Sequence, residues 1–146
     1  MSNAEKAASR FKQGALCSQA VFSTYAEKLG LDMETATRIA TPFGGGMARL
    51  GETCGTVSGA LMVIGLKYGN ISDWRINDRQ IEKTYQLANK FMDKFKSHNG
   101  SIRCKDILGC DLSTPEGRRT AHEKNLLSNV CPKLVQDAAE ILEEIL

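Results

Sequence analysis

Between Phe43 and Gly69 the chain reads FGGGMARLGETCGTVSGALMVIGLKYG, and this stretch restricts the fold more than any other. Three consecutive glycines, Gly44 to Gly46, and then Gly51 precede a proline-free run over residues 52–68. The charges of that run stand at its ends, Glu52 first and Lys67 last, the order a helix dipole favours. Between them Val57, Ala60, Leu61, Met62, Val63, Ile64 and Leu66 fall on every side of a helical wheel. The pattern predicts a helix over residues 52–68 enclosed at the centre of a bundle. The run is too short, and too rich in Gly, Ser and Thr, to span a bilayer, which needs about 20 apolar residues. Gly55 and Gly59 lie four apart, as do Cys54 and Ser58, so small residues line adjacent stripes. Each helical glycine costs about 1 kcal/mol relative to alanine, which predicts a neighbouring backbone or a compact inorganic group in close approach. The glycine loop over residues 44–51 is also the kind of segment that holds phosphate ahead of a helix. It lacks Gly-Lys-Ser/Thr, and crowding of the backbone accounts for its glycines more simply.

Periodicity of 3.6 residues continues on both sides of this stretch. Residues 4–29 read as helix, interrupted near Gly14, with Leu16, Cys17, Val21, Phe22, Tyr25 and Leu29 inward and Gly30 as a stop. Asp32 caps a short helix through Ala40, ended by Thr41-Pro42. Residues 70–74 read as a turn, and Asn77 with Gln80 as a capping box. Ile81, Tyr85, Ala88, Met92 and Phe95 then form one face of a long helix closed by Asn99-Gly100. Ser101 caps a short turn with Cys104 at its third position, and Gly109 ends it. Thr114-Pro115 opens a polar helix, and Pro132 at a first helical position makes Cys131 the N-cap of the last one. His98 and His122 read as surface residues. No segment alternates with period two, so the expectation is a single all-α domain over residues 1–146, a helical bundle around the central glycine-containing helix.

Apolar and charged fractions of 42% and 25% are those of an ordinary globular chain. A net charge of +2 gives no reason to expect nucleic acid or membrane insertion. Glu5, Lys6, Arg10 and Lys12 leave no room for the apolar core of a signal peptide, which makes the cytoplasm the expected compartment. Five cysteines are many for a reducing compartment, and an odd number is a poor disulfide framework. Cys54, Cys104 and Cys131 fall at or near predicted helix starts, where unpaired N–H groups and the dipole favour thiolate. No C-x-x-C pair occurs, so a zinc finger is not indicated, and the absence of C-x-x-C-H excludes covalent c-type haem.

The order Cys17, then Cys54-Gly55-Thr56-Val57-Ser58-Gly59, then Cys104, then Cys131 resembles the small bacterial C_GCAxxG_C_C family, to which redox activity is ascribed. The resemblance covers nearly the whole chain, including FGGGM, SGALMVIGLKYG and CPKL. Part of the pattern is also similar to the split-Soret cytochromes, without their haem motif. The resemblance implies Cys17, Cys54, Cys104 and Cys131 as the functional set. Two departures stand out: Thr56 replaces the family alanine, and Cys110 is additional, with an expected role as small filler. Three readings stay open. The four cysteines cycle between dithiol and disulfide or bind an iron–sulfur cluster for electron transfer to a redox partner protein; or they bind structural zinc; or they merely pack in an accessory protein of a transport system. A homodimer is compatible with each.

Overall fold

A computed structural model describes residues 1–69 and 78–146. The turn expected over residues 70–74 and the Asn77 cap lie outside the described residues. The fold is all-α. Its helices are α1 (Asn3–Lys12), α2 (Cys17–Lys28), α3 (Met33–Ala40), α4 (Gly55–Tyr68) and α5 (Asp78–Asn99). They are followed by α6 (Cys104–Leu108), α7 (Pro115–Glu123), α8 (Leu126–Asn129) and α9 (Cys131–Ile145). Among the described residues the extended backbone pairs only at one antiparallel bridge, Thr53 with Arg103.

Side-chain chemistry explains several boundaries. Ser2 and Glu5 close a reciprocal capping box on α1, Asp32 accepts from the Thr35 N–H, and Thr114 accepts from the Gly117 N–H. Gly14 carries φ +111° and separates α1 from α2. The α2 start has a subtler cap, in which the Leu16 N–H donates to Gln19 Oε1 at 2.9 Å.

The centre of the bundle is a helix pair. α2 is buried at Ser18 and from Ala20 to Ala26, although Ser18, Ser23 and Thr24 are polar. Those hydroxyls are satisfied: Ser18 Oγ donates to the Ala40 carbonyl at 2.8 Å, Thr24 Oγ1 to the Ala20 carbonyl at 2.8 Å, and Arg10 donates to Ser23 and Thr24. A buried hydroxyl with a partner avoids the desolvation cost of an unpaired one. The expectation of a central helix over residues 52–68 therefore needs two corrections. The helix begins at Gly55, because the Glu52 and Cys104 backbones pair instead, and its last turn opens outward, with Leu66 41% exposed.

Gly59 explains the α2–α4 contact. A Cβ there would stand 2.9 Å from the Ser18 carbonyl oxygen and 3.4 Å from Phe22 N, so the two backbones touch where only hydrogen fits. α9 packs on α1, α2, α4 and α5, burying Leu134, Val135, Ala138, Ile141 and Leu142. On α5 the inward residues are Phe91 and Phe95, fully buried with ring centroids 6.0 Å apart, whereas Tyr85 faces out at 63% exposure. That shifts the face expected from Tyr85 by part of a turn.

Candidate functional site: four cysteines around one cavity

All four family-pattern cysteines occupy helix starts. Cys17, Cys104 and Cys131 are the first residues of α2, α6 and α9, and Cys54 is the N-cap of α4. Cys104 is thus not at a third position and Cys131 is not a cap. Arg103 and Val130 take the cap positions instead, and Pro132 follows one residue later.

Two devices gather these starts. The first is the short ladder beside the Thr53–Arg103 bridge. Cys54 N donates to the Ile102 carbonyl at 2.7 Å, Cys104 N to the Glu52 carbonyl at 2.6 Å and Lys105 N to the Gly51 carbonyl at 3.0 Å. Half-exposed ion pairs of Glu52 with Arg103 at 3.3 Å and Lys105 at 3.7 Å flank it. The second is the glycine contact between α2 and α4. A Cβ on Gly55 would lie 2.5 Å from Cys17 Sγ and 2.9 Å from the Phe43 carbonyl oxygen. Any side chain at Gly55 would displace the Cys17 sulfur.

Between the helix starts lies a cavity of about 490 Å³, lined by Cys17, Cys54, Cys104 and Cys131. Leu16, Leu108, Leu127 and Leu134 supply much of its apolar wall, and Arg49 is the charged residue on its lining among the described residues. Cys110 is not on this lining and packs beside Cys104, Leu108 and Leu112.

One wall of the cavity is a turn of unusual handedness. Gly45, Gly46, Met47, Ala48 and Arg49 all have positive φ, between 51° and 71°. Left-handed backbone costs a residue with a Cβ about 1–2 kcal/mol, and three such residues stand here in a row. Crowding enforces the glycine at 46, where a Cβ would come 2.6 Å from Cys104 Cβ and 2.7 Å from Glu52 N. The N–H groups of residues 47–52 donate to carbonyls of Pro42, Phe43, Gly44, Gly45, Gly46 and Met47. They are engaged inside the loop, so the phosphate-cradle arrangement read from the glycines is not formed.

In the metal-free protein, burial works against the thiolate that these helix starts favour. Burial, and next the Cys54 thiol, raise Cys17 to about 11, although the Gly45 and Ser18 N–H groups pull the other way. Burial and the neighbouring Cys54 and Cys17 raise Cys104 to about 12. Cys131 is pushed up by burial and then by Cys17, Cys54 and Cys104. Cys54 is raised by burial, partly opposed by Thr56, whose Oγ1 lies 3.1 Å from its Sγ. Desolvation and mutual repulsion outweigh the helix dipoles. Among the described residues no three His, Cys, Asp or Glu side chains are close enough together to hold a single metal ion.

The fold and the cavity define a class: a small all-α protein whose four family-pattern cysteines line one largely apolar cavity. Residues 15–145 match the family described as "Putative redox-active protein (C_GCAxxG_C_C)", and the chain belongs to that family. No curated protein and no solved structure matches it. Among the described residues no helix is long and apolar enough to cross a membrane. Arg49 lines the cavity without having been singled out in the sequence, and Thr56, noted there only as a departure from the family alanine, touches Cys54 Sγ. The glycine triplet just before Arg49 is the signal that marks its loop.

Proposed function

We propose that Cys17, Cys54, Cys104 and Cys131 form the redox centre of an electron-transfer protein, holding an iron–sulfur cluster. The observation that carries this reading is the convergence of four thiols, from four helix starts, on one cavity of about 490 Å³. The donor set suits the group, since such clusters are held by cysteine thiolates. The glycine-lined wall leaves space where a Cβ would intrude, and the N–H groups of helix starts suit a negatively charged thiolate centre. When bound, the cluster would supply one-electron chemistry.

The remaining roles belong to the chain itself. Thr56 holds Cys54 through the Sγ···Oγ1 contact, and leucines line much of the wall beside the thiols. Without a cation, four thiolates in one apolar chamber repel. Burial first, and that repulsion second at Cys17, Cys104 and Cys131, raise their pKa values, so the metal-free thiols stay protonated at pH 7. Free thiols in this state attack disulfides slowly, which favours a bound centre over open exchange. A single zinc ion is favoured less, because it demands four donors close-packed at about 2.3 Å from the metal and among the described residues no three such side chains are grouped to hold one.

A second reading has one specific observation behind it. Cys17 Sγ lies against Gly55, next to Cys54 in the chain. This pair could cycle between two thiols and a disulfide, releasing two protons and two electrons to an acceptor disulfide or quinone.

Anaerobic purification with a visible spectrum and iron, sulfide and zinc analysis separates the readings. Cluster binding predicts iron and sulfide in equal amounts and their loss in Cys→Ser variants at positions 17, 54, 104 or 131, with Cys110→Ser unaffected. Metal-free protein whose thiols oxidise reversibly in pairs favours the second reading. Metal-free protein whose thiols do not oxidise reversibly overturns both.

A further inference from the structure

A second cleft, of about 370 Å³, adjoins the cysteine cavity and shares Arg49, Leu112 and Leu127 with it. Its chemistry is different. Arg49, Arg118 and His122 line it together with Asn125 and Ser128, and no carboxylate does among the described residues. Arg118 is held at the shared wall, where Nη1 donates to the Leu112 carbonyl at 2.9 Å. Among the described residues neither Arg49 nor Arg118 forms an ion pair, although the other arginine near the cysteines, Arg103, is paired with Glu52. Residues bearing two guanidinium groups, an imidazole, an amide and a hydroxyl therefore line one space, with no acidic residue on its walls among the described residues.

Arg49 reaches this position through strained backbone. It ends the run of five positive-φ residues, at φ 66°, where asparagine or glycine would sit at lower cost. Strain of this kind persists where a particular placement matters. Here the placement sets one cation on the lining of both spaces.

We propose that the second cleft is a binding site for a small oxyanion group, phosphate or carboxylate, with Arg49 and Arg118 as its principal ligands. The shared wall then makes it the anchoring half of a two-part site: an anionic head is held in the cleft while the rest of the same molecule extends toward the cysteines. That extension rests on the redox reading, whereas anion binding in the cleft does not.

The test is a calorimetric titration of the full chain at constant ionic strength, with inorganic phosphate in one arm and succinate in the other. The expected result is saturable binding of at least one, and the arm that binds names the head group. Charge-assisted hydrogen bonds of this kind imply that Arg49→Gln and Arg118→Gln each weaken binding about 10-fold or more. Arg49→Gly serves as the folding control, because it removes the guanidinium and relieves the strained backbone together. It should unfold no more easily than the parent chain and still lose binding. Cys54→Ser should bind as the parent does, so a failure of the redox centre is read separately. No saturable binding in either arm, or binding indifferent to both arginines, overturns the proposal.

Discussion

The two ends of α2 and α9 are built on opposite principles. At their starts stand Cys17 and Cys131, which share a cavity with a left-handed turn, and Cys17 lies against Gly55. Toward their other ends stand Tyr25 and Glu143, about 12 and 18 Å further along each helix. There Tyr25 Oη donates to the Ala139 carbonyl at 2.9 Å and lies 3.0 Å from Glu143 Oε1, which also accepts from Asn3 at 2.5 Å. Leu142 and Ile141 of α9 are buried in the core. One end is tied by side-chain hydrogen bonds beside buried apolar residues. The other keeps a void, strained backbone and four thiols displaced from their ordinary acidity. The difference teaches that stability and the site are carried by separate residues, so mutations should sort by end.

The largest separation should come from Leu142→Ala at the packed end. Removing this fully buried side chain should cost about 2–5 kcal/mol in urea unfolding, while the iron, sulfide or thiol signature of the surviving folded protein stays as in the parent. Loss of that signature in folded protein would break the division. Next is Gly55→Ala, whose new Cβ meets Cys17 Sγ and the Phe43 carbonyl. Overpacking of this kind costs about 1–3 kcal/mol and should abolish the cysteine signature. Gly65→Ala, in the same helix with open space around its Cβ, should instead raise stability by about 1 kcal/mol.

The pH dependence comes third. An unfolded cysteine ionises near 9.0, whereas folded Cys17 and Cys104 hold their protons to about 11 and 12. Between these values the folded state binds more protons than the unfolded one. Stability is therefore fully present below pH 9 and falls as pH rises. Each of the two groups contributes about 1.4 kcal/mol of loss per pH unit between 9 and 11 in metal-free protein. Urea midpoints at pH 8 and pH 10 measure this, and Cys17→Ser should flatten the curve. A flat profile in the parent chain would place the thiols in a more polar setting than the apolar wall provides. The smallest effect expected is for Ala48→Gly, at φ 51°. Relief of left-handed strain exceeds the added freedom of glycine in the unfolded chain, for a net gain of about 0.5–1 kcal/mol in thermal unfolding.

Local chemistry made much of this architecture readable. Gly14, Asp32 and Thr114-Pro115 punctuate the helices where their backbone and capping properties require, and the absence of period-two alternation agrees with the all-α fold. What could not be read depends on partners far along the chain. Thr53 and Arg103 carry no mark of a bridge, because two residues are too few to show a period. The Cys17 helix start was hidden because its cap is a Leu16 N–H and a Gln19 side chain rather than Ser or Asp. Phe91 and Tyr85 sit on neighbouring stripes of one helix, and only the position of α9 and α4 decides which turns inward. The raised thiol pKa values follow from burial, a property of the assembled cavity that no spacing of cysteines encodes. Arg49 escaped notice for the same reason: its significance lies in two spaces that meet only after folding.

The pairing of residues 51–54 with residues 102–105 also has a consequence in time. The ion pair beside it joins residues 51 positions apart, and everything between, α4 and α5 included, must be made and folded back before it closes. Closing so long a loop is entropically late relative to local helix formation. On a ribosome adding about 5–20 residues per second, Cys131 follows Cys54 by roughly 4–15 s. Cys104 follows Cys54 by roughly 2.5–10 s at the same rate, and until then Cys17 and Cys54 exist without either of the other two thiols. The centre proposed above can therefore be completed only after Cys131 is made, and whatever protects or loads the early cysteines must act on a half-made protein.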